Sequence, residues 1–169
     1  MKIEDNFLDQ KEFDKLQTLL MGNNFAWYYN DGIVLEYENK FQFTHMFYLD
    51  SIPHSDYFEE MKSILNILFP ISLWRIKANL LTRTSNIVEN VFHIDLDGVS
   101  EKKLKQWTTS IFYVNTNNGY SKFEDGTKVE SVANRFVSFS SNMKHTGTSC
   151  TDEKRRVVIN FNYFSNKES

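Results

Sequence analysis

The chain has 169 residues, 41% of them hydrophobic and 24% charged, which suits one domain with a buried core. A formal net charge of -3 and a pI near 5.8 give no general attraction for phosphate backbones or anionic membranes, and therefore disfavour a nucleic-acid partner. No apolar run reaches the length of a membrane span, the N-terminus has no apolar run flanked by positive charge, and the single cysteine, Cys150, cannot form an internal disulfide. We therefore expect a cytoplasmic protein without a membrane partner.

The first predicted element is an amphipathic helix that Gly22 closes. Asp9 stands at its N-cap and Glu12 follows three residues later, which is the spacing of a capping box. Its apolar face consists of Phe13, Leu16, Leu19 and Leu20.

Strands and a second helix follow in the next part of the chain. Aromatic and β-branched content predicts strands at Phe25–Tyr29, Ile33–Tyr37 and Phe41–Tyr48, with a hairpin-type turn at residues 30–32. Helical spacing returns from Tyr57 to Phe69, and Pro70 ends this helix.

From residue 71 to Phe164 the pattern predicts only strands and turns. The predicted strands are Leu73–Leu81, Phe92–Leu96, Thr108–Val114, Lys122–Phe123, Val129–Val132, Phe136–Phe139 and Arg155–Tyr163. Two helices outside a set of short antiparallel strands indicate a mainly β protein with flanking helices, a double-stranded β-helix or jelly roll of the cupin type. We expect one domain over residues 1–169, with a helical N-terminal part to about residue 70 and a jelly-roll core over about 71–164.

The pair His93 and Asp95, together with His145 about fifty positions later, predicts a metal site. In a strand, residues two apart point to the same side, so both members of the pair can face one cavity. An imidazole, a carboxylate and a second imidazole are the ligands of the facial triad that holds non-haem Fe(II). The pair alone would also fit a structural role.

In the order of these motifs the chain resembles the 2-oxoglutarate and Fe(II)-dependent oxygenases, and within them the prolyl 4-hydroxylase-like group. The resemblance covers nearly the whole chain and is carried by residues 6–8, residues 112–115 and the segment 145–163. It implies that His93, Asp95 and His145 bind the iron, with Fe(II), 2-oxoglutarate and O2 as cofactors. A peptidyl or free amino-acid substrate, prolyl included, would be hydroxylated while 2-oxoglutarate is decarboxylated to succinate.

The resemblance also implies which residues bind the co-substrate. In such enzymes a basic residue about ten positions after the second histidine clasps the distal carboxylate. Arg155 stands at that distance and shares strand parity with the apolar residues that follow, so we favour it and keep Arg156 as the alternative. Tyr113 matches the family tyrosine that reaches the same carboxylate, and Thr109 lies on the same face. Asn79 is either a further polar contact or a turn or edge residue.

Several readings stay open. The family's Gly-Gly-x-Thr-x-Phe turn is replaced here by Asn-Gly-Tyr-Ser-Lys-Phe at residues 118–123, which leaves the peptidyl-proline substrate open to question. The alternatives are an oxygenase that acts on a nucleobase or another small metabolite, and a cupin-like metal-binding protein without turnover, in which zinc could occupy the same ligands. Trp27, Tyr28, Tyr29 and His45 are interpreted as core or surface residues, with a substrate contact as the alternative.

Overall fold

The computed structural model describes residues 1–33, 40–96 and 98–165, and strands make up most of its regular structure. The strands are β1 (Lys2–Glu4), β2 (Tyr28–Asn30), β3 (Gln42–Leu49), β4 (Ile52–Pro53), β5 (Ser72–Thr82), β6 (Trp107–Tyr113), β7 (Tyr120–Phe123), β8 (Lys128–Glu130), β9 (Arg135–Ser140), β10 (His145–Gly147) and β11 (Arg155–Phe164). The helices are α1 (Gln10–Met21), α2 (Lys62–Leu68) and α3 (Glu101–Leu104), and a 3₁₀ helix at Asp56–Met61 leads into α2. In the described ranges, no helix has the length and apolar character needed to cross a membrane.

The strands form two antiparallel sheets. The larger sheet has the order β1–β9–β6–β11–β5–β3–β2, with β4 paired to β3 at one side. The smaller sheet has the order β10–β7–β8 and faces the middle of the larger one. The predicted mainly β fold with flanking helices is therefore confirmed.

Both faces of the central strand β11 are buried, and they face different cores. Val157, Ile159 and Phe161 belong to the core that the large sheet forms with α1 and α2. Val158 belongs to a second core between the two sheets, where Phe123 of the small sheet also packs. Because both faces are covered, β11 reads as a nearly continuous apolar run, as expected for a strand that is buried on two sides.

The predicted helices are present, with one change of geometry. The Asp9 side chain accepts the Glu12 N–H at 3.0 Å, and Gly22 caps the C-terminal end of α1, as the sequence indicates. The second predicted helix, Tyr57 to Phe69, begins instead as the 3₁₀ helix and continues as α2. Of the predicted strand Ile33–Tyr37, all but the first residue lies outside the described residues.

Two predictions for the second half of the chain are wrong. Phe92–Leu96 is not an extended strand: His93 forms an isolated bridge to His145, and Asp95 lies in a bend. The short helix α3 interrupts the region where only strands and turns were predicted. Four residues are too few to show a helical period, and the three-residue strands β1 and β10 were missed for the same reason.

Asn134 joins the N-terminal segment to the barrel. Its backbone has a positive φ of 62°, and its side-chain amide exchanges two hydrogen bonds with the backbone of Leu8, at 2.9 and 2.8 Å. The residue is 3% exposed, so water cannot replace these partners. Asparagine suits this position because it tolerates the left-handed region better than other residues with a side chain.

We expect Asn134→Ala to lower the free energy of unfolding by about 2 to 4 kcal/mol, because it leaves two buried backbone groups of Leu8 unsatisfied and strains the backbone. Urea denaturation measures the change. Asn134→Gly is the matched control, since it loses the same hydrogen bonds but accepts the positive φ, and should cost about 1 kcal/mol less. A loss below about 0.5 kcal/mol in both variants would show that the contact contributes little.

Candidate active site

His93, Asp95 and His145 come together between the two sheets. Each offers one potential ligand atom, and these atoms lie within 4.8 Å of one another. The isolated bridge between His93 and His145 brings the two imidazoles side by side, with ring centroids 4.8 Å apart. His93 Nε2 lies 3.6 Å from Asp95 Oδ1. The structure thus brings the predicted triad together, although His93 stands in an isolated bridge and Asp95 in a bend rather than both in one strand.

The two imidazoles are oriented in the same way by their own backbone. The Nδ1–H group of His93 donates to the carbonyl oxygen of Val91 at 3.2 Å, and that of His145 donates to the carbonyl of Met143 at 3.3 Å. In the neutral ring, each Nε2 then carries the free lone pair with which histidine binds a metal. The donor set of two neutral imidazoles and one carboxylate fits a divalent metal ion of the Fe(II) class.

Arg75 and Asn162 hold the Asp95 carboxylate from behind. Arg75 Nη2 lies 3.2 Å from Asp95 Oδ1, and the Asn162 amide donates to Asp95 Oδ2 at 3.0 Å. Arg75 also donates from Nε to the Asn162 side-chain oxygen at 2.9 Å, which closes a triangle of three side chains. Because the side chain of Asp95 is 5% exposed, these contacts fix the direction of its oxygens.

The charges of this cluster act on one another. Burial by itself would raise the pKa of Asp95, but Arg75, the two imidazoles and Asn162 together hold it well below its usual value. Burial is the largest single effect on the pKa of His93 and lowers it, but the Asp95 carboxylate and the Val91 carbonyl together outweigh burial, and the net pKa is raised. The pKa of His145 is lowered, mainly by burial, with Asp95 opposing the shift. Asp95 is therefore an anion at neutral pH.

A cavity between the two sheets contains all three residues of the triad. The strand register arranges its walls in rows, because residues opposite one another on β5, β11 and β6 share a face. In chain order along β11, Arg156 is opposite Leu81, Val158 is opposite Asn79 and Tyr113, Asn160 is opposite Lys77 and Ile111, and Asn162 is opposite Arg75 and Thr109. The Asp95 support therefore lies at one end of the rows and Arg156 at the other.

Arg156 is a buried cation at its end of the cavity. It is 3% exposed, and its Nε and Nη2 groups donate to the hydroxyls of Ser131 at 2.8 Å and Ser121 at 3.2 Å. Tyr113 packs beneath the guanidinium, with 5.7 Å from its ring centre to Arg156 Cζ, and its hydroxyl donates to Ser121 Oγ at 2.9 Å. No carboxylate of the described residues pairs with Arg156. An unpaired buried cation is costly, so this end of the cavity fits an anionic ligand.

Arg155 was the preferred carboxylate-binding residue in the sequence, and its placement corrects that choice. It lies on the opposite face of β11, where its guanidinium donates to the carbonyl of Met21. Arg156, the alternative, lines the cavity with the triad. The reason is that both faces of β11 are buried. Arg155 shares a face with Val157 and Ile159, as predicted, but that face packs against the helices and not against the cavity.

The other predicted site residues divide between the cavity and its surroundings. Asn79 lines the cavity, whereas Tyr113 is fully buried and contacts the guanidinium of Arg156. Thr109 is fully buried behind Asn162, where its hydroxyl accepts from the Asn162 amide at 3.1 Å, so the structure does not bring it to the Arg156 end. His45 lies elsewhere, with hydrogen bonds at both ring nitrogens, to the carbonyl of Ala26 and the hydroxyl of Ser55.

Sequence reasoning missed several residues of this site. They are Arg75, Lys77, Ser121, Asn160 and Asn162. Ser121 had a signal, because it takes the place of the threonine in the Gly-Gly-x-Thr-x-Phe turn. A sequence signal also existed for Arg75 and Lys77. They alternate with Asn79 on the same face of β5, so the sequence could have predicted a polar face on this strand.

Comparison with known proteins gives a clear result for structure and none for sequence. No protein-family model matches the chain, and no curated protein matches it. The collagen prolyl hydroxylase of Paramecium Bursaria Chlorella virus-1, solved with 2OG, is 13% identical, with a TM-score of 0.60 over 98% of this chain and 96% of that one.

Two further solved structures are similar. A prolyl hydroxylase from Trichoplax adhaerens, in complex with a hypoxia inducible factor peptide, has a TM-score of 0.68 at 15% identity, over 99% of this chain and 84% of that one. The α-ketoglutarate-dependent carbocyclase SnoK from nogalamycin biosynthesis has a TM-score of 0.68 at 11% identity, over 96% and 78%. The chain has the fold of the 2-oxoglutarate and Fe(II) oxygenases. This confirms the predicted double-stranded β-helix, and it confirms the resemblance at the level of the fold.

Proposed function

We propose that the protein is a 2-oxoglutarate- and Fe(II)-dependent oxygenase that hydroxylates a small organic or peptidyl substrate. The observation that carries the proposal is one cavity that holds both a facial metal-binding group and, at its other end, the buried unpaired cation Arg156. Either feature alone would fit a structural role. Together they fit a co-substrate with one end at a metal and a carboxylate at the other end.

His93, Asp95 and His145 would hold the metal through the two Nε2 atoms and the carboxylate. Three protein ligands on one face leave positions for the co-substrate and O2. When bound, Fe(II), 2-oxoglutarate and O2 would supply the oxidising chemistry, with succinate and CO2 as co-products. The protein contributes orientation: Arg75 and Asn162 direct the carboxylate, and the backbone carbonyls of Val91 and Met143 direct the imidazoles.

Arg156 would bind the distal carboxylate of the co-substrate. A planar guanidinium can present two parallel N–H groups to two carboxylate oxygens. Ser131 and Ser121 already hold two of its N–H groups, which fixes the plane of the guanidinium before the ligand arrives. The Tyr113 hydroxyl donates to Ser121 and would have to turn from Ser121 to donate to the same carboxylate. Burial raises the pKa of Tyr113 despite the nearby Arg156, so this hydroxyl keeps its proton at neutral pH.

The proposal is tested by anaerobic titration of the metal-free protein with Fe(II) and then 2-oxoglutarate. We expect a weak visible charge-transfer band that appears only when both are present, followed by succinate formation when O2 is admitted. N-oxalylglycine, which resembles the co-substrate but cannot be decarboxylated, is the control and should bind without giving succinate. Metal binding with no band and no consumption of 2-oxoglutarate would contradict the proposal and favour a metal-binding protein without turnover.

A further inference from the structure

Lys77 is a second cation in the cavity that no described carboxylate neutralises. It lies on β5 opposite Asn160 of β11, and both side chains line the cavity. In the part of the chain that the structure describes, neither side chain has an ion pair or hydrogen-bond partner, and the Asn160 side-chain oxygen is buried without one. Two polar groups are therefore available in the middle row of the cavity wall.

Under the proposed function, both carboxylates of the co-substrate have partners other than Lys77. Arg75 is already paired with Asp95, and 2-oxoglutarate has two carboxylates, one for Arg156 and one for the metal. Burial, and next the nearby Arg75, lowers the pKa of Lys77 to about 8, which leaves the amine mostly protonated at pH 7. A half-buried ammonium group without a counter-ion favours binding of a further anion.

The position of Lys77 places that anion next to the metal group. Lys77 stands one row from Arg75 on the same face of β5, and Arg75 contacts Asp95. Asp95 also raises the pKa of Lys77, and the charge of Lys77 lowers the pKa of His93. Arg156 lies four residues before Asn160 on β11, which is about 13 Å of strand length. A ligand held by Lys77 would therefore be close to the reacting centre.

A second, more open cleft adjoins the cavity and gives room for a larger molecule. The two share Ile33, Leu81 and Asn90 as walls. Phe41 and Val88 add further apolar surface to the cleft, and both are partly exposed. The cleft thus fits an apolar body that continues outward from the cavity.

We propose that the primary substrate is a carboxylic acid with an apolar body, whose carboxylate binds Lys77 while its body occupies the adjoining cleft. This proposal rests on the proposed oxygenase function and names the substrate class for the same site. A carboxylate suits Lys77 because the ammonium group can donate to its oxygens, whereas the buried Asn160 oxygen is an acceptor and fits a donor group on the same substrate. A free acid and an acidic group on a peptide share this chemistry.

The test measures succinate formation by the Fe(II)- and 2-oxoglutarate-loaded protein in the presence of paired probes. The probes are aliphatic and aromatic carboxylic acids, hydrophobic amino acids and acidic peptides, each compared with its primary amide. We expect acids to stimulate turnover and amides to fail. Stimulation by free acids alone, or by peptides alone, identifies the source of the carboxylate. Equal stimulation by acids and amides, or none by either, overturns the proposal.

Variants of Lys77 then separate the substrate from the co-substrate. We expect Lys77→Met to reduce the stimulation by the best acid about 10- to 100-fold, and Lys77→Arg to restore much of it. Lys122→Met is the matched control, since that lysine pairs with Glu89 outside the cavity, and it should respond to the acid as the native protein does.

The charge-transfer titration distinguishes the two ways of failing. If Lys77→Met raises the requirement for 2-oxoglutarate as much as Arg156→Met does, then Lys77 holds the co-substrate and the proposal is overturned. If the native protein shows no band, the oxygenase function fails and this proposal fails with it. A normal band without any preference for acids overturns only the substrate class.

Discussion

Replacing Asp95 with alanine is expected to raise the dissociation constant for Fe(II) by about 1,000-fold or more. The loss of an outer-shell partner of a metal ligand typically costs about 10- to 100-fold, and removal of the only anionic ligand removes more. The two imidazoles would remain, but Arg75 and Lys77 would then stand beside the metal position without the compensating carboxylate. Repulsion between these cations and a divalent metal adds to the lost bond.

Equilibrium dialysis and the metal-induced rise in melting temperature, both under anaerobic conditions, measure the effect. Asp5→Ala is the matched control: it also breaks an aspartate–arginine pair, the one with Arg135, but at the surface and away from the cavity. It should bind Fe(II) like the native protein. Since Asp95→Ala leaves Arg75 unpaired, circular dichroism must show that the variant is folded. Excess formate should restore part of the binding by supplying a carboxylate.

An Asp95→Ala variant that is folded and binds Fe(II) as tightly as the native protein would show that the metal site lies elsewhere. A variant that binds no metal and is not rescued by formate, yet melts like the native protein, would still place Asp95 among the ligands. The comparison with Asp5→Ala separates the role of the carboxylate at the metal from the general loss of an ion pair.

The triad could be predicted because its signal lies in residue types and order, which do not depend on the local backbone. His93 and Asp95 were expected in a strand, and the structure places Asp95 in a bend, yet the two side chains still meet His145. The helix α1 was predictable for a different reason. Asp9 and Glu12 form a cap between residues that are close in sequence, so the sequence pattern alone reveals it.

Residues that act through distant partners could not be predicted in this way. Arg75 and Asn162 meet Asp95 only because β5 and β11 pair in one register, and register depends on the whole sheet. The same holds for Lys77, whose lack of a described partner is a property of the assembled cavity. Patterns along one strand give the alternation of faces, but not which of two buried faces holds the site.

Variants of the adjacent residues Arg155 and Arg156 test which of the two buried faces of β11 binds the co-substrate. Arg156→Met is expected to raise the 2-oxoglutarate concentration at half-maximal charge-transfer absorbance by about 100-fold, which corresponds to about 3 kcal/mol for one partner of a buried charged hydrogen-bonded pair. Methionine keeps much of the length and apolar character of the side chain, so the packing on Tyr113 is largely retained.

Arg155→Met is a closely matched control, because it removes the same charge one residue away on the same strand. Its guanidinium contacts the carbonyl of Met21 on the helix side, so its loss should change the titration by less than about threefold. The opposite ranking would mean that the side chains of β11 face the other way in the working protein. Equal and small effects in both variants would remove the carboxylate-binding role from this strand, and with it the main argument that one cavity binds both metal and co-substrate.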